Sequence, residues 1–123
     1  MRLFITMFLI LGSLVACKNE KLKDLNYYKT GTFKTVLSDK NTTSVAFRND
    51  SLQIETYEGK KDTFYINWKT NFEYILTKKN PKTALDNTPF HVKITRFKGD
   101  SYNFKAFYKD SNFKQKGTAT KID

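Results

Sequence analysis

From Gly31 onward, short runs of alternating apolar and polar residues recur every ~8–12 residues, with turn-forming clusters between them and no long helical period. The clearest run is Thr63 to Lys69. There Phe64, Ile66 and Trp68 share one face while Thr63, Asn67 and Lys69 share the other, the pattern of a strand buried on one side. On the same logic Phe72, Tyr74 and Leu76 point inward from a strand over 72–78, and Phe90, Val92 and Ile94 from one over 90–97. Further strands are predicted over Thr32 to Leu37, Ser44 to Arg48, Ser51 to Tyr57, Ser101 to Tyr108 and Phe113 to Ile122. Asn49-Asp50, Glu58-Gly59-Lys60-Lys61-Asp62, Lys98-Gly99-Asp100 and Asp110-Ser111-Asn112 supply turn residues between them. The longest loop is expected over 80–89, where Pro81 and Pro89 exclude a central strand.

The fold class that follows is all-β: an antiparallel up-and-down meander of about eight strands. An open meander leaves two long edges, so a small lipocalin-like barrel or a strongly curled sheet is expected, with an open sheet covered by the N-terminal segment as the alternative. The interior of so small a barrel is expected to be filled by side chains. The other possibility is a pocket lined by Trp68 and the inward aromatics, which a cavity below ~300 Å³ would exclude.

Ahead of the strands, Arg2 precedes an apolar run, Leu3 to Val15, that ends in Leu14-Val15-Ala16-Cys17. This arrangement resembles a bacterial lipoprotein signal helix ending in a lipobox. The run is short of the ~20 apolar residues of a membrane-spanning helix and is interrupted by Thr6, Gly12 and Ser13. The resemblance implies cleavage between Ala16 and Cys17 and lipid attachment at the Cys17 thiol. Each buried methylene would add roughly 0.8 kcal/mol to membrane affinity, so two or three acyl chains anchor the protein durably. Residues 1–16 are thus read as signal peptide, 17–30 as a lipidated tether with at most one or two helical turns, and 31–123 as the β domain. Lys18 rather than aspartate follows the cysteine, which favours the outer membrane, facing either the periplasm or the cell surface. Cys17 is the only cysteine, so no disulfide framework exists.

Charge adds a second theme. Lys and Arg number 22 against 12 Asp and Glu, a formal charge of +10 that loses one unit with Arg2. Such a field attracts anionic lipid or an acidic envelope polymer. Lysine richness of this kind also arises from composition alone.

Catalytic signals are weak. His91 is the single histidine, which rules out histidine-pair metal sites, and alternation turns it outward with Lys93 and Thr95. Asp39, Asp50, Glu58, Asp62, Asp86, Asp100 and Asp110 fall where turns are expected. Glu55 and Glu73 lie within strands on faces read as outer, with no spacing that marks an acid–base pair. No glycine belongs to a phosphate-binding run. No cofactor, metal site or enzyme activity is therefore expected.

Arg48-Asn49-Asp50-Ser51-Leu52-Gln53-Ile54-Glu55-Thr56-Tyr57-Glu58-Gly59, Ile66-Asn67-Trp68 and Lys114-Gln115-Lys116-Gly117-Thr118 resemble a family of short uncharacterised bacterial lipoproteins, some of which carry the label DNA topoisomerase IV. That label would imply a cleaving tyrosine preceded by arginine and an acidic cluster for magnesium. The residues before the seven tyrosines are Asn26, Tyr27, Thr56, Phe64, Glu73, Ser101 and Phe107, and no Asp-x-Asp pair occurs. The expectation is a lipid-anchored, non-enzymatic envelope lipoprotein that presents a basic β domain to another envelope component. The alternative is a carrier of a small apolar ligand. Nucleic acid is not an expected partner; clustered outward lysines beside exposed aromatics would argue for one.

Overall fold

The structure, a computed structural model, describes residues 24–39 and 42–123. Ala16, Cys17 and the whole segment read as a lipoprotein signal lie outside these residues. Eight strands follow in order: β1 Gly31–Leu37, β2 Thr43–Arg48, β3 Leu52–Tyr57, β4 Lys60–Thr70, β5 Glu73–Lys78, β6 Phe90–Lys98, β7 Ser101–Tyr108 and β8 Lys114–Lys121. Each pairs antiparallel with its sequence neighbour, and β8 returns to β1, so the meander closes into a barrel with no free edge.

Closure fixes which side chains face inward, because cross-strand partners lie on the same side of the sheet. Phe33 is fully buried, and opposite it sits Ala46, then Glu55, then Asp62. One step along, Arg48, Gln53, Phe64 and Lys78 form the next inward row. The interior of β2 and β3 is therefore polar, while Val45, Phe47, Leu52 and Ile54 take the opposite parity and face outward. Phe47 and Tyr65 are about half exposed, at 50% and 49%. Glu55, expected on the outer face, is inside; its outer neighbours are the apolar residues that local alternation would have buried.

The β3–β4 hairpin is tighter than the five-residue turn anticipated. Tyr57 pairs directly with Lys60, leaving Glu58 (φ 48°) and Gly59 (φ 77°) as a two-residue turn with both φ angles positive. Lys60 and Asp62 consequently belong to β4 and not to a turn. Phe72 also departs from expectation: β5 starts at Glu73, and Phe72 is 52% exposed in the preceding turn, where its N–H donates to the Thr70 hydroxyl. The register shift between Trp68 and Thr70 accounts for its displacement.

One end of the barrel is stoppered. Leu25–Lys29, part of the segment read as a tether, forms a 3-10 helix whose first turn is capped by Asp24 accepting from the Asn26 N–H at 3.0 Å. Tyr28 from this turn is buried in the core, its ring 4.7 Å from that of Phe97 and 5.9 Å from that of Tyr102. Its hydroxyl donates to the Gly99 carbonyl, Tyr27 donates to Asp100 at 2.6 Å, and Lys29 donates to Asn71 at 2.9 Å. The plug thus grips the β6–β7 and β4–β5 turns. Gly31 lets the chain swing from plug into β1: at φ +113° an added Cβ would sit 2.5 Å from the Asp123 carbonyl oxygen.

Candidate functional site: a one-ended cavity

The half of the barrel away from the plug is not filled. A cavity of about 390 Å³ lies there, near the lower end of the ~300–1,000 Å³ usual for small-molecule sites. The solid interior expected for a barrel of this size holds only at the plugged end, where Phe33, Tyr102, Ile94 and the Tyr28 ring pack together. Exposed Tyr57, Lys60 and Asp62 stand at the mouth. Trp68 does not line the cavity; its ring lies 4.6 Å from that of Tyr74, which does.

Two unlike walls face each other. Leu76, Phe90, Val92 and Phe104 from β5, β6 and β7 make an apolar side, whereas Thr35, Ser44, Gln53, Glu55 and Asp62 from β1 to β4 make a polar one. The division follows from the parity of the strands, since β2 and β3 turn their polar residues inward and β5 to β7 their apolar ones.

Arg48 forms the floor. Its guanidinium is buried and donates to Gln53 Oε1 at 2.9 Å, to the Tyr28 carbonyl at 2.8 Å, and to the Tyr74 and Tyr102 hydroxyls at 3.2 and 3.0 Å. The cation also lies 4.4 Å from the Phe33 ring centroid. Burial pulls its pKa down, but the Tyr102 and Tyr74 oxygens outweigh this and the net shift is upward, so the charge stays. Burial, then the neighbouring Tyr102, holds the Tyr74 phenol well above its ordinary range. Tyr74 and Tyr102 share one further hydrogen bond at 2.9 Å.

From Arg48 a polar ladder climbs to the mouth. Gln53 Nε2 donates to Glu55 at 3.1 Å. Glu55 faces Asp62 across the β3–β4 pair, and Lys78 lies 3.6 Å from Asp62 and 3.5 Å from Asp86. Burial raises the Glu55 pKa, with opposing help from Gln53 and Arg48 and a further upward push from Asp62. Asp86 is shifted down, first by the Lys82 backbone N–H and also by Lys78. With the Thr83 hydroxyl accepting from the Asp86 N–H at 3.1 Å, these bonds fold the long 79–89 loop beside the mouth.

Outside the barrel, Lys93, Lys105 and Lys116 stand directly opposite one another on β6, β7 and β8, all exposed. At ~4.8 Å between strands their stems start within roughly 10 Å. Glu73 follows in the same row on β5 and lies 3.6 Å from His91 Nδ1. His91 faces outward as the alternation indicated, stacked on half-buried Phe107 at 5.3 Å and 8° between planes. Among the described residues no three His, Cys, Asp or Glu side chains gather as a metal site, and no helix is long and apolar enough to cross a membrane.

Sequence reasoning missed Arg48, Gln53, Glu55 and Asp62. The one available signal was their shared parity once β2, β3 and β4 are paired through tight turns. No protein-family model, curated protein or solved structure matches the chain.

Proposed function

We propose that this is a lipid-anchored, non-enzymatic envelope protein whose barrel carries a small amphipathic ligand. The observation that carries the reading is the 390 Å³ cavity, plugged at one end and walled by an apolar and a polar face. The two-faced lining revises the expected cargo from purely apolar to amphipathic. Its polar groups form a ladder of hydrogen bonds and carboxylates with no nucleophile–base pair, which suits holding over turnover. The 3-10 plug closes the barrel at the end opposite the mouth, and it is the part of the described structure nearest to Cys17 in sequence.

The test uses the full chain in phosphatidylcholine vesicles and the emission of Trp68, the only tryptophan. Hexanol should shift that emission saturably, and Val92→Phe, which fills the apolar wall, should abolish the shift. A linear response, equal in both proteins, would mean that the alcohol enters only the bilayer. Anchoring is tested separately: labelled palmitate should mark the wild type and not Cys17→Ser.

The row Lys93, Lys105 and Lys116 favours a second reading, the docking of the basic outer wall onto an anionic envelope component. Like charges directly opposite in a sheet repel, and an anionic partner relieves that repulsion. Retention of the proteoliposomes on immobilised polygalacturonate should fall with salt and drop in the triple lysine-to-glutamine variant. Equal retention of the two proteins would remove this reading.

A further inference from the structure

We propose that the cavity selects a ligand with a protonated amine head and an apolar body, the ammonium resting on Glu55. The inference builds on the carrier reading and adds the chemistry of the cargo.

The floor argues first against the opposite polarity. At the floor a carboxylate ligand would face the Arg48 guanidinium, four of whose five N–H donors already go to Gln53, the Tyr28 carbonyl, Tyr74 and Tyr102; the other cation on the cavity lining, Lys60, stands at the mouth. A bidentate carboxylate would displace at least one of these four bonds. An anionic head would also meet Glu55 and Asp62 at the next level up.

In the middle of the cavity the groups to be matched are the Glu55 and Asp62 carboxylates. Glu55 has two acceptor oxygens, and the Gln53 amide donates to Oε1. Asp62, directly opposite on β4, adds a second negative charge, and its cation, Lys78, is shared with Asp86. Two carboxylates facing each other across a strand pair destabilise the empty barrel. A cation between them removes that repulsion and supplies up to three N–H donors, with the Ser44 and Thr35 hydroxyls on the same wall as further acceptors.

The apolar body has its place across the barrel, against Leu76, Phe90, Val92 and Phe104. An alkyl or aromatic amine therefore satisfies both walls at once, whereas an alcohol of the same length satisfies one and leaves the carboxylates facing each other. The net positive charge of the chain opposes a cation at long range, but at physiological ionic strength it is screened within about 8 Å. Contact with Glu55 inside the barrel is screened far less.

Hexylammonium, hexanol and hexanoate separate the possibilities on the full chain in phosphatidylcholine vesicles, read through Trp68 emission. Hexylammonium should bind at least tenfold more tightly than hexanol, and hexanoate should give no saturable signal. Glu55→Gln should weaken hexylammonium at least tenfold and leave hexanol within twofold, the latter showing that the cavity is intact. Should that variant not fold, Asp62→Asn provides the same comparison with a smaller loss. Hexanoate binding as tightly as hexylammonium, or hexylammonium unaffected by both variants, overturns the amine assignment and leaves the carrier reading standing. Failure of all three probes overturns the carrier reading itself.

Discussion

Replacing Arg48 by methionine asks what holds the plug in the barrel. Methionine keeps an unbranched stem of similar reach and removes the guanidinium. Gln53 Oε1 and the Tyr28 carbonyl each lose a charged donor, at 2.9 and 2.8 Å, while Tyr74 and Tyr102 retain the bond they share. Leaving a buried acceptor without its donor costs ~1–3 kcal/mol, so two such losses come to ~2–6 kcal/mol. Loss of the cation over Phe33 adds ~1–2 kcal/mol for a desolvated contact. Against this stands the desolvation of the arginine itself, several kcal/mol that the variant no longer carries. With the losses near the middle of their range, ~5–6 kcal/mol, and ~2–3 kcal/mol of desolvation regained, a net destabilisation of ~3 kcal/mol results, a large share of the ~5–15 kcal/mol typical of a small domain. With a urea slope of ~1–3 kcal/mol/M, the midpoint should fall by roughly 1–3 M at unchanged slope. Amide exchange should also accelerate over Leu25–Lys29 ahead of the strands, because the Tyr28 carbonyl is the plug's link to the floor. An unchanged or higher midpoint would refute the reasoning, showing that the desolvation of Arg48 outweighs its hydrogen bonds.

Glu55 makes stability depend on pH in a stated direction. Its pKa is raised on folding by burial, so the folded state binds more protons than the unfolded one above the ordinary carboxylate value of 4.5; stability should decline as pH rises through the folded-state value, and Glu55→Gln should flatten that part of a urea-midpoint-against-pH curve. Gly117→Ala places a Cβ 2.7 Å from both Phe104 Cζ and the Val36 carbonyl oxygen. It should cost ~1–3 kcal/mol by overpacking and weaken hexanol uptake by pushing Phe104 into the cavity; normal stability and uptake would show that β8 yields freely. Asp86→Asn should loosen the 79–89 loop, since it weakens the acceptor for the Lys82 and Thr83 N–H groups and removes the charge facing Lys78; limited proteolysis should then cut that loop faster, with the barrel core unaffected.

The strands themselves were legible because turns and alternation are local. The clear runs in β4, β5 and β6 identified Ile66, Tyr74, Leu76, Val92 and Ile94 as core, and all are buried. The β2–β3 hairpin misled for a physical reason. Its apolar residues Val45, Phe47, Leu52 and Ile54 alternate with Ala46, Arg48, Gln53 and Glu55, and local pattern assigns the apolar set to the core. Parity imposed by pairing with β1 and β4 assigns the other set. The short helical turn ahead of β1 was expected, but its role as a plug was hidden, because Tyr28 becomes core through contacts some 70 residues away along the chain.

By itself the sequence determined an all-β chain of eight strands in up-and-down order, and the basic charge that the outer wall displays. These rest on propensities and turn chemistry that act over a few residues. The edge-strand argument favoured a barrel or a curled sheet; the tertiary structure decided for full closure, and it alone decided that one end is stoppered and that Arg48, Gln53, Glu55 and Asp62 line an interior cavity. Closing a barrel forces every strand to adopt the face its neighbours dictate, so a side chain's position depends on pairing around the whole ring as well as on its own alternation.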